Sequence, residues 1–201
     1  MVTIKNQYPV PSINTLLDRL QNVKYFTKID LCEAFYLLRI WKGNKWKTAF
    51  RTPFSLFKFL VVLFGLCNAL ASFQSYINQV LQGLEEELMA YLDDILIFGT
   101  TLEELCTCIR YCLLRLWKHG LFAKLKKCKF EVTTVRMLGF IVDGEDISME
   151  PERVNTISDW PEPKTLKQVQ EFIGFMNFYC QFIYNLSDMI KPIMDLTRKN
   201  K

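Results

Sequence analysis

Between residues 25 and 142, apolar positions fall in short runs broken by polar residues; beyond residue 150 they keep helical spacing. Residues 25–31 alternate apolar with polar and carry Asp30 near their end, which predicts a strand. Strand-like runs follow at 36–40, 46–50 and 57–63, before Gly65 and Asn68 break the pattern ahead of a helix over 69–81. Over 88–98, two apolar runs flank Asp93 and Asp94, the pattern of a buried β-hairpin. Thr101-Leu-Glu-Glu104 is a capping box. It opens a helix reaching about His119, with Leu102, Leu105, Ile109, Leu113 and Leu116 on one face. Residues 128–132 and 137–142 read as a second hairpin, and 143–151 as a linker.

Further along, 152–160 reads as a helix stopped by Pro161-Glu-Pro163. A second capping box, Thr165 to Gln168, opens a helix with Leu166, Val169, Phe172, Ile173, Met176 and Tyr179 inward. Ahead of all this, residues 1–11 form an extended lead-in, and Ser12 caps a short helix with Ile13, Leu16, Leu17 and Leu20 on one face. The pattern predicts an α+β domain over 1–142 followed by a helical segment over 143–201.

Composition narrows the chemistry. The chain has 201 residues, 50% of them hydrophobic and 23% charged, so it can bury a core and is not disordered as a whole. A net charge of +4 permits a polyanionic partner without requiring one. The longest uncharged apolar run, 59–67, is well short of the ~20 residues of a membrane-spanning helix, so no membrane is expected and the composition reads as intracellular. The seven Cys form no C-x-x-C pair, which leaves neither a zinc site nor a secreted disulfide framework. Cys106, Cys108 and Cys112 read as small helix residues rather than ligands. His119 is the only His, so Ser-His-Asp and Cys-His nucleophilic routes are nearly closed.

Carboxylates are left to carry any reaction. Asp30, Asp93 and Asp94 lie in apolar strands, where an isolated charge is costly unless paired, protonated or bound to a cation. If the strand ending at Asp30 lies beside the hairpin, the carboxylates converge on a site suited to Mg²⁺. Two such ions serve in-line phosphoryl transfer. Taken alone, Asp93-Asp94 reads better as an ordinary hairpin turn, where Asp is favoured for local hydrogen bonding.

The surrounding motifs favour the first reading. The chain resembles the reverse transcriptase of Ty3/gypsy-type long-terminal-repeat retrotransposons along essentially its whole length. The likeness is carried by Phe26-Thr-Lys-Ile-Asp30-Leu, by Leu63-Phe-Gly-Leu-Cys-Asn-Ala-Leu-Ala-Ser-Phe-Gln74 and by Tyr91-Leu-Asp-Asp94. Leu138-Gly139-Phe140 and Trp160-Pro-Glu-Pro163 extend it. It implies an α+β polymerase palm, an antiparallel sheet backed by helices, with truncated fingers and a small helical thumb. It also implies RNA-directed DNA polymerase activity, adding deoxynucleotides to a primer 3′-OH.

Within that resemblance, Asp30 and Asp93 ligate two Mg²⁺ ions (or Mn²⁺) with the Leu31 carbonyl, and Asp94 completes the acidic cluster. Ala34, Phe35, Phe64 and Gly65 line the nucleotide site. The Phe35 ring lies where it clashes with a ribose 2′-OH, although a core Phe explains that residue equally well; Gly65 lets backbone approach closely. Gln74, Tyr91, Leu138 and Gly139 serve the template–primer. The implied partners are an RNA or DNA template with its primer, deoxynucleoside triphosphates and other parts of a retroelement polyprotein. Basic residues beside aromatics at Trp41-Lys42, Trp46-Lys47 and Phe50-Arg51, and the run over 118–129, suit phosphate contacts; a solvated lysine face explains the second run as well.

Departures from the family pattern point to an alternative. The family's fingers begin upstream of the region matching Val2, and its ribonuclease H region follows about where this chain stops. Cys32, Cys180 and Gln181 stand at usual Arg positions, Glu33 at a usual small residue, and Leu63 and Leu70 at usual prolines. Each fits a single C-to-T or G-to-A step. The alternative is therefore a catalytically silent, decayed retroelement remnant, at most a nucleic-acid-binding protein. A nucleotide cyclase with a similar palm is disfavoured by the Leu138-Gly139 and Trp160-Pro161 features.

Overall fold

Strand β1 (Tyr25–Asp30) lies inside an antiparallel sheet whose order is β4-β5-β1-β6, with β4 at Leu88–Tyr91, β5 at Asp94–Gly99 and β6 at Lys129–Val132. The computed structural model describes residues 3–11, 18–20, 23–144, 146–195 and 197. The helix expected from Ser12, with Ile13, Leu16 and Leu17, lies outside the described residues, while Leu20 beyond it is buried. Alternation in β1 puts Thr27 and Ile29 on one face and Phe26, Lys28 and Asp30 on the other. Opposite them in register, Ile95 pairs with Ile29 and Asp94 with Asp30.

Two helices back the Ile29 face: α2 (Ala69–Val80) and α3 (Leu102–Lys118). A helical turn, α1 (Ala34–Leu37), precedes them in the chain. Ile29, Ile95, Ile97, Phe73, Ile77 and Leu105 are completely buried between sheet and helices. Each such side chain contributes roughly 1.5–3 kcal/mol of apolar burial. The Thr101–Glu104 capping box forms with both its hydrogen bonds.

The inward stripe of α3 differs from the expected one: Leu105, Cys108, Ile109, Cys112 and Leu116 are buried, while Leu102 and Leu113 are exposed. At about 100° per residue, Leu102 and Leu113 fall roughly 60° and 80° round from Leu105, on the stripe's margin. Two cysteines take the core positions, and burial pushes their thiols up to about 11 for Cys108 and about 12 for Cys112. All seven cysteines are free thiols. Among the described residues, no helix is long and apolar enough to cross a membrane.

The region 34–63 is less regular than its alternation suggests. Residues 36–40 begin inside α1 and contribute only an isolated bridge between Arg39 and Val61. Residues 46–50 are mostly 3₁₀ helix (Lys42–Thr48), and β-pairing is confined to β2 (Phe50–Arg51) and β3 (Leu56–Phe57). The Thr48 hydroxyl donates to the Lys45 carbonyl and accepts from the Phe59 amide, a local alternative to a ladder. Phe50 stacks on Phe57 and Phe59 at 5.9 and 5.1 Å, so these rings cover one another in part instead of packing on a sheet face, and Phe50 and Phe57 stay exposed.

Two further expectations are corrected. Residues 129–132 do not pair with 137–142; they join β1 through Phe26–Val132 and Lys28–Lys129, with a register shift between them. The run 137–142 is split by a turn between β7 (Thr134–Met137) and β8 (Phe140–Asp143). Leu138 and Gly139 have φ of +55° and +88°, as a type I′ turn requires. Finally, the expected linker holds β9 (Ile147–Met149), antiparallel to β8 in a sheet of order β7-β8-β9.

The chain divides into two units, Met1–Val135 with Asp143–Glu145, and Arg136–Val142 with Asp146–Lys201. In the second, α4 (Pro151–Ser158) starts with proline at its first turn and α5 (Leu166–Phe178) starts with the Thr165–Gln168 capping box. The third helix there is α6 (Leu186–Asp195). Met176, Leu186 and Ile190 form its buried centre, with Phe172 and Ile173 against them. Leu166, expected inward, is exposed because it occupies the first turn, before the helix meets its neighbours. Trp160 packs on Phe172 and Phe175 at 5.6 and 5.1 Å, which fixes the chain at the proline break.

A Cβ on Gly139 would sit 2.9 Å from the Tyr179 hydroxyl oxygen, on backbone that L-residues avoid. Gly139→Ala is therefore expected to lower unfolding free energy by about 1–3 kcal/mol, read as a reduced urea midpoint at unchanged slope.

Candidate active site

Asp30 ends β1 and Asp94 opens β5, and the two are register partners on one face of the sheet. Asp93 lies in the two-residue turn joining β4 to β5, and its carbonyl accepts the Leu31 amide at 2.9 Å. This bond ties the turn to the end of β1. Asp30 and Asp94 thus face each other across the two central strands, with Asp93 in the turn beside them.

Like charges placed opposite each other in a sheet repel, and two lysines offset the repulsion. Lys28 Nζ lies 3.0 Å from Asp94 Oδ2, with side chains only 19% and 24% exposed. Lys127 Nζ lies 3.3 Å from Asp30 Oδ2, its own side chain 58% exposed. The exposed Lys127 pair is worth about 0–1 kcal/mol. Breaking the more buried Lys28 pair costs more, of order 1–3 kcal/mol, since a stranded charge is left behind. Burial raises the Asp94 carboxyl above its ordinary value; Lys28 opposes the shift, and the Asp93 and Asp30 charges add to it.

The turn itself is held from behind. Gln74 on α2 is completely buried. Its Nε2 donates to the Ala90 carbonyl and the Asn78 side-chain oxygen, and its Oε1 accepts the Leu92 amide, all at 2.9 Å. Leu92 has φ +54° at the first central turn position, a conformation that costs a non-Gly residue about 1–2 kcal/mol. The Gln74 clamp offsets that cost and fixes where Asp93 sits. Its carboxamide is spent on the hairpin backbone, so any support it gives a template passes through the hairpin. Tyr91, next to the turn, is half-buried.

Ala34 is buried and Phe35 half-buried. The Phe35 ring rests against Phe73 at 4.7 Å and edge-on to Phe64 at 5.8 Å, which locks its orientation. Phe64 is largely exposed. Gly65 has φ +96° and open space where a Cβ would go, so the backbone conformation, rather than close approach of another chain segment, demands glycine. Glu33 is exposed with φ +47°, a strained position for a residue with a side chain. Leu138 and Gly139 belong to the second unit.

Lys28 is the residue that sequence reading passed over. Its signal was the two-residue spacing to Asp30, which puts both on one strand face.

Among the described residues, no group of three or more His, Cys, Asp or Glu stands ready to hold a metal ion. The donor set nevertheless suits a hard divalent cation. Asp30, Asp93 and the Leu31 carbonyl all offer oxygen, and the Lys127 ammonium already marks Asp30 as a place where positive charge is accepted.

The family model described as "Reverse transcriptase (RNA-dependent DNA polymerase)" matches residues 1–142. The chain is 36% identical over 198 residues to the retrovirus-related Pol polyprotein from transposon opus of Drosophila melanogaster, covering 98% of this chain and 20% of that protein. It is 33% identical over 196 residues to the transposon Tf2-3 polyprotein of Schizosaccharomyces pombe, covering 97% and 15%. Among solved structures, the foamy viral protease-reverse transcriptase dRH in complex with double-stranded DNA superposes with a TM-score of 0.87 at 26% identity, over 96% of this chain and 34% of that one. The foamy viral protease-reverse transcriptase in complex with an RNA/DNA hybrid gives 0.85 at 26%, over 98% and 27%. An α+β polymerase palm bearing paired carboxylates defines the class. The chain belongs to the reverse transcriptase (RNA-dependent DNA polymerase) family, within the Ty3/gypsy type of long-terminal-repeat retrotransposons. It spans a fifth or less of the length of these two polyproteins.

Gln74→Leu strands a buried carbonyl and a part-buried amide, and is expected to cost about 2–4 kcal/mol of stability in chemical denaturation. The Asp94 carboxyl is expected to titrate above the ordinary Asp value in carboxyl-carbon NMR, and Lys28→Met to move it higher. Because the folded value is raised, the contribution of this group to stability is full below the ordinary Asp value. It is lost as pH rises through the raised one.

Proposed function

We propose that this chain is the polymerase core of a retroelement reverse transcriptase, with a palm and partial fingers over 1–142 and a helical thumb over 143–201. It extends a primer 3′-OH with deoxynucleotides on an RNA or DNA template. The observation that carries the reading is the pairing of Asp30 with Asp94 across β1 and β5, with Asp93 tied to Leu31 at the same end.

Asp30, Asp93 and the Leu31 carbonyl are the groups to hold divalent cations, Mg²⁺ or Mn²⁺. Bound there, the cations favour ionisation of the primer hydroxyl and neutralise triphosphate charge. The protein's part is positioning: Gln74 holds the turn, and Asp94, paired with Lys28, completes the acidic cluster opposite Asp30. Ala34, Phe35, Phe64 and Gly65 receive the nucleotide. The Phe35 ring, braced by Phe73, blocks a ribose 2′-OH. Tyr91, with Gln74 acting through the hairpin, meets the primer end, and Leu138-Gly139 presents a backbone turn to the primer strand. The foamy viral proteins named above hold double-stranded DNA and an RNA/DNA hybrid, which supports a duplex as the ligand here. Lys124, Lys126 and Lys127 supply salt-sensitive phosphate contacts.

Primer extension on an RNA template with Mg²⁺ and deoxynucleoside triphosphates tests the reading. Extension is expected from the chain and a loss of at least about a hundredfold from Asp93→Asn. Equal activity of the two proteins, or none from either, rejects it for this chain.

A further inference from the structure

The two lysines at the carboxylates are not equivalent. Lys127 reaches Asp30 from the surface and is mostly exposed, so an incoming cation displaces it readily. Lys28 lies within the sheet. Its register partner across β5 is Leu96, which makes Asp94 its diagonal neighbour, a span that a lysine side chain covers. The resulting pair is short and largely buried. It draws the Asp94 carboxylate along β1 towards Lys28, which stands two residues before Asp30.

We infer that Lys28 is a positioning residue that withholds Asp94 from the cation site, leaving Asp30 and Asp93 as the two carboxylates that face the metal ions. The inference rests on the cation site proposed above and adds the group that sets its charge. Three carboxylates at the end of two strands form a strong general trap for divalent ions. Held by Lys28, one of them is neutralised and fixed, so the site binds cations more weakly but in one arrangement. Without Lys28, Asp94 is free to swing towards the ions and become a third ligand. Affinity then rises while the geometry required for transfer degrades.

Mn²⁺ binding to the isolated chain, followed by electron paramagnetic resonance without nucleic acid or nucleotide, tests the inference apart from activity. Lys28→Met is expected to tighten Mn²⁺ binding by about tenfold, from the removal of one nearby positive charge. Asp94→Asn, which leaves Lys28 beside the site without its carboxylate, is expected to weaken it. The double variant Lys28→Met/Asp94→Asn returns close to wild type, and Lys28→Arg stays there. A purely structural role for the pair would shift both single variants in the same direction and overturn the inference, as would equal or weaker binding by Lys28→Met. If circular dichroism shows Lys28→Met unfolded, the double variant decides against wild type: affinity close to wild type supports the inference, and affinity as weak as that of Asp94→Asn alone shows Asp94 to be a ligand and overturns it. Asp30→Asn separates the two levels. Unchanged affinity in that variant overturns the cation site and this inference together. Lost affinity there, with no gain in Lys28→Met, overturns this inference alone.

Discussion

Mutual repulsion among Asp30, Asp93 and Asp94 is the constraint around which the first unit is built. A sheet does not by itself tolerate carboxylates paired across two strands with a third in the adjoining turn. Their positions are enforced from three directions. The β1–β5 register holds Asp30 opposite Asp94. Gln74 grips the hairpin from the core side at Ala90 and Leu92. Lys28 and Lys127 supply the opposing charge. The apolar face of the same sheet, packed on α2 and α3, provides the stability that keeps such an arrangement folded.

Elements with one clear periodicity and a clear buried face were legible in the sequence. The β1 strand, the Asp93-Asp94 hairpin, α2 and both capping boxes follow from spacing and end chemistry alone. Residues 34–63 were not legible, because alternation predicts a strand only where the apolar side has a sheet or helix to cover it. There the Phe50, Phe57 and Phe59 rings stack on each other, and Thr48 bonds locally. The β6 strand was assigned the wrong partner for a related reason: proximity in sequence favoured 137–142, yet β1 had a free edge closer to the core. In α3, the buried stripe extends from Leu105 towards the small thiols at 108 and 112, on the side away from Leu102 and Leu113, where a reading weighted towards leucine did not look.

The candidate site was legible in its carboxylates and less so in its support. The order of motifs pointed to Asp30 and Asp93-Asp94, whereas nothing in the sequence showed that Gln74, expected at the template–primer, is buried and holds the hairpin through its hydrogen bonds. Gly65 has a local cause that the sequence did not show, its positive φ, with open space beside it. Lys28 was hidden because a lysine in a strand ordinarily reads as a solvent-facing residue, and only the cross-strand register reveals its carboxylate partner.

The order β4-β5-β1-β6 places the carboxylate-bearing strands inside, each with a neighbour on both sides. Fraying of a sheet starts at its edges, here β4 and β6, and the inner strands open only when the whole sheet does. The spatial relation of Asp30 to Asp94 therefore survives partial opening elsewhere and disappears only with the fold. A remote substitution that weakens the core reduces the number of competent molecules and leaves each remaining one with the same site. Specific activity normalised to folded protein is then the quantity that separates damage to the site from damage to the scaffold.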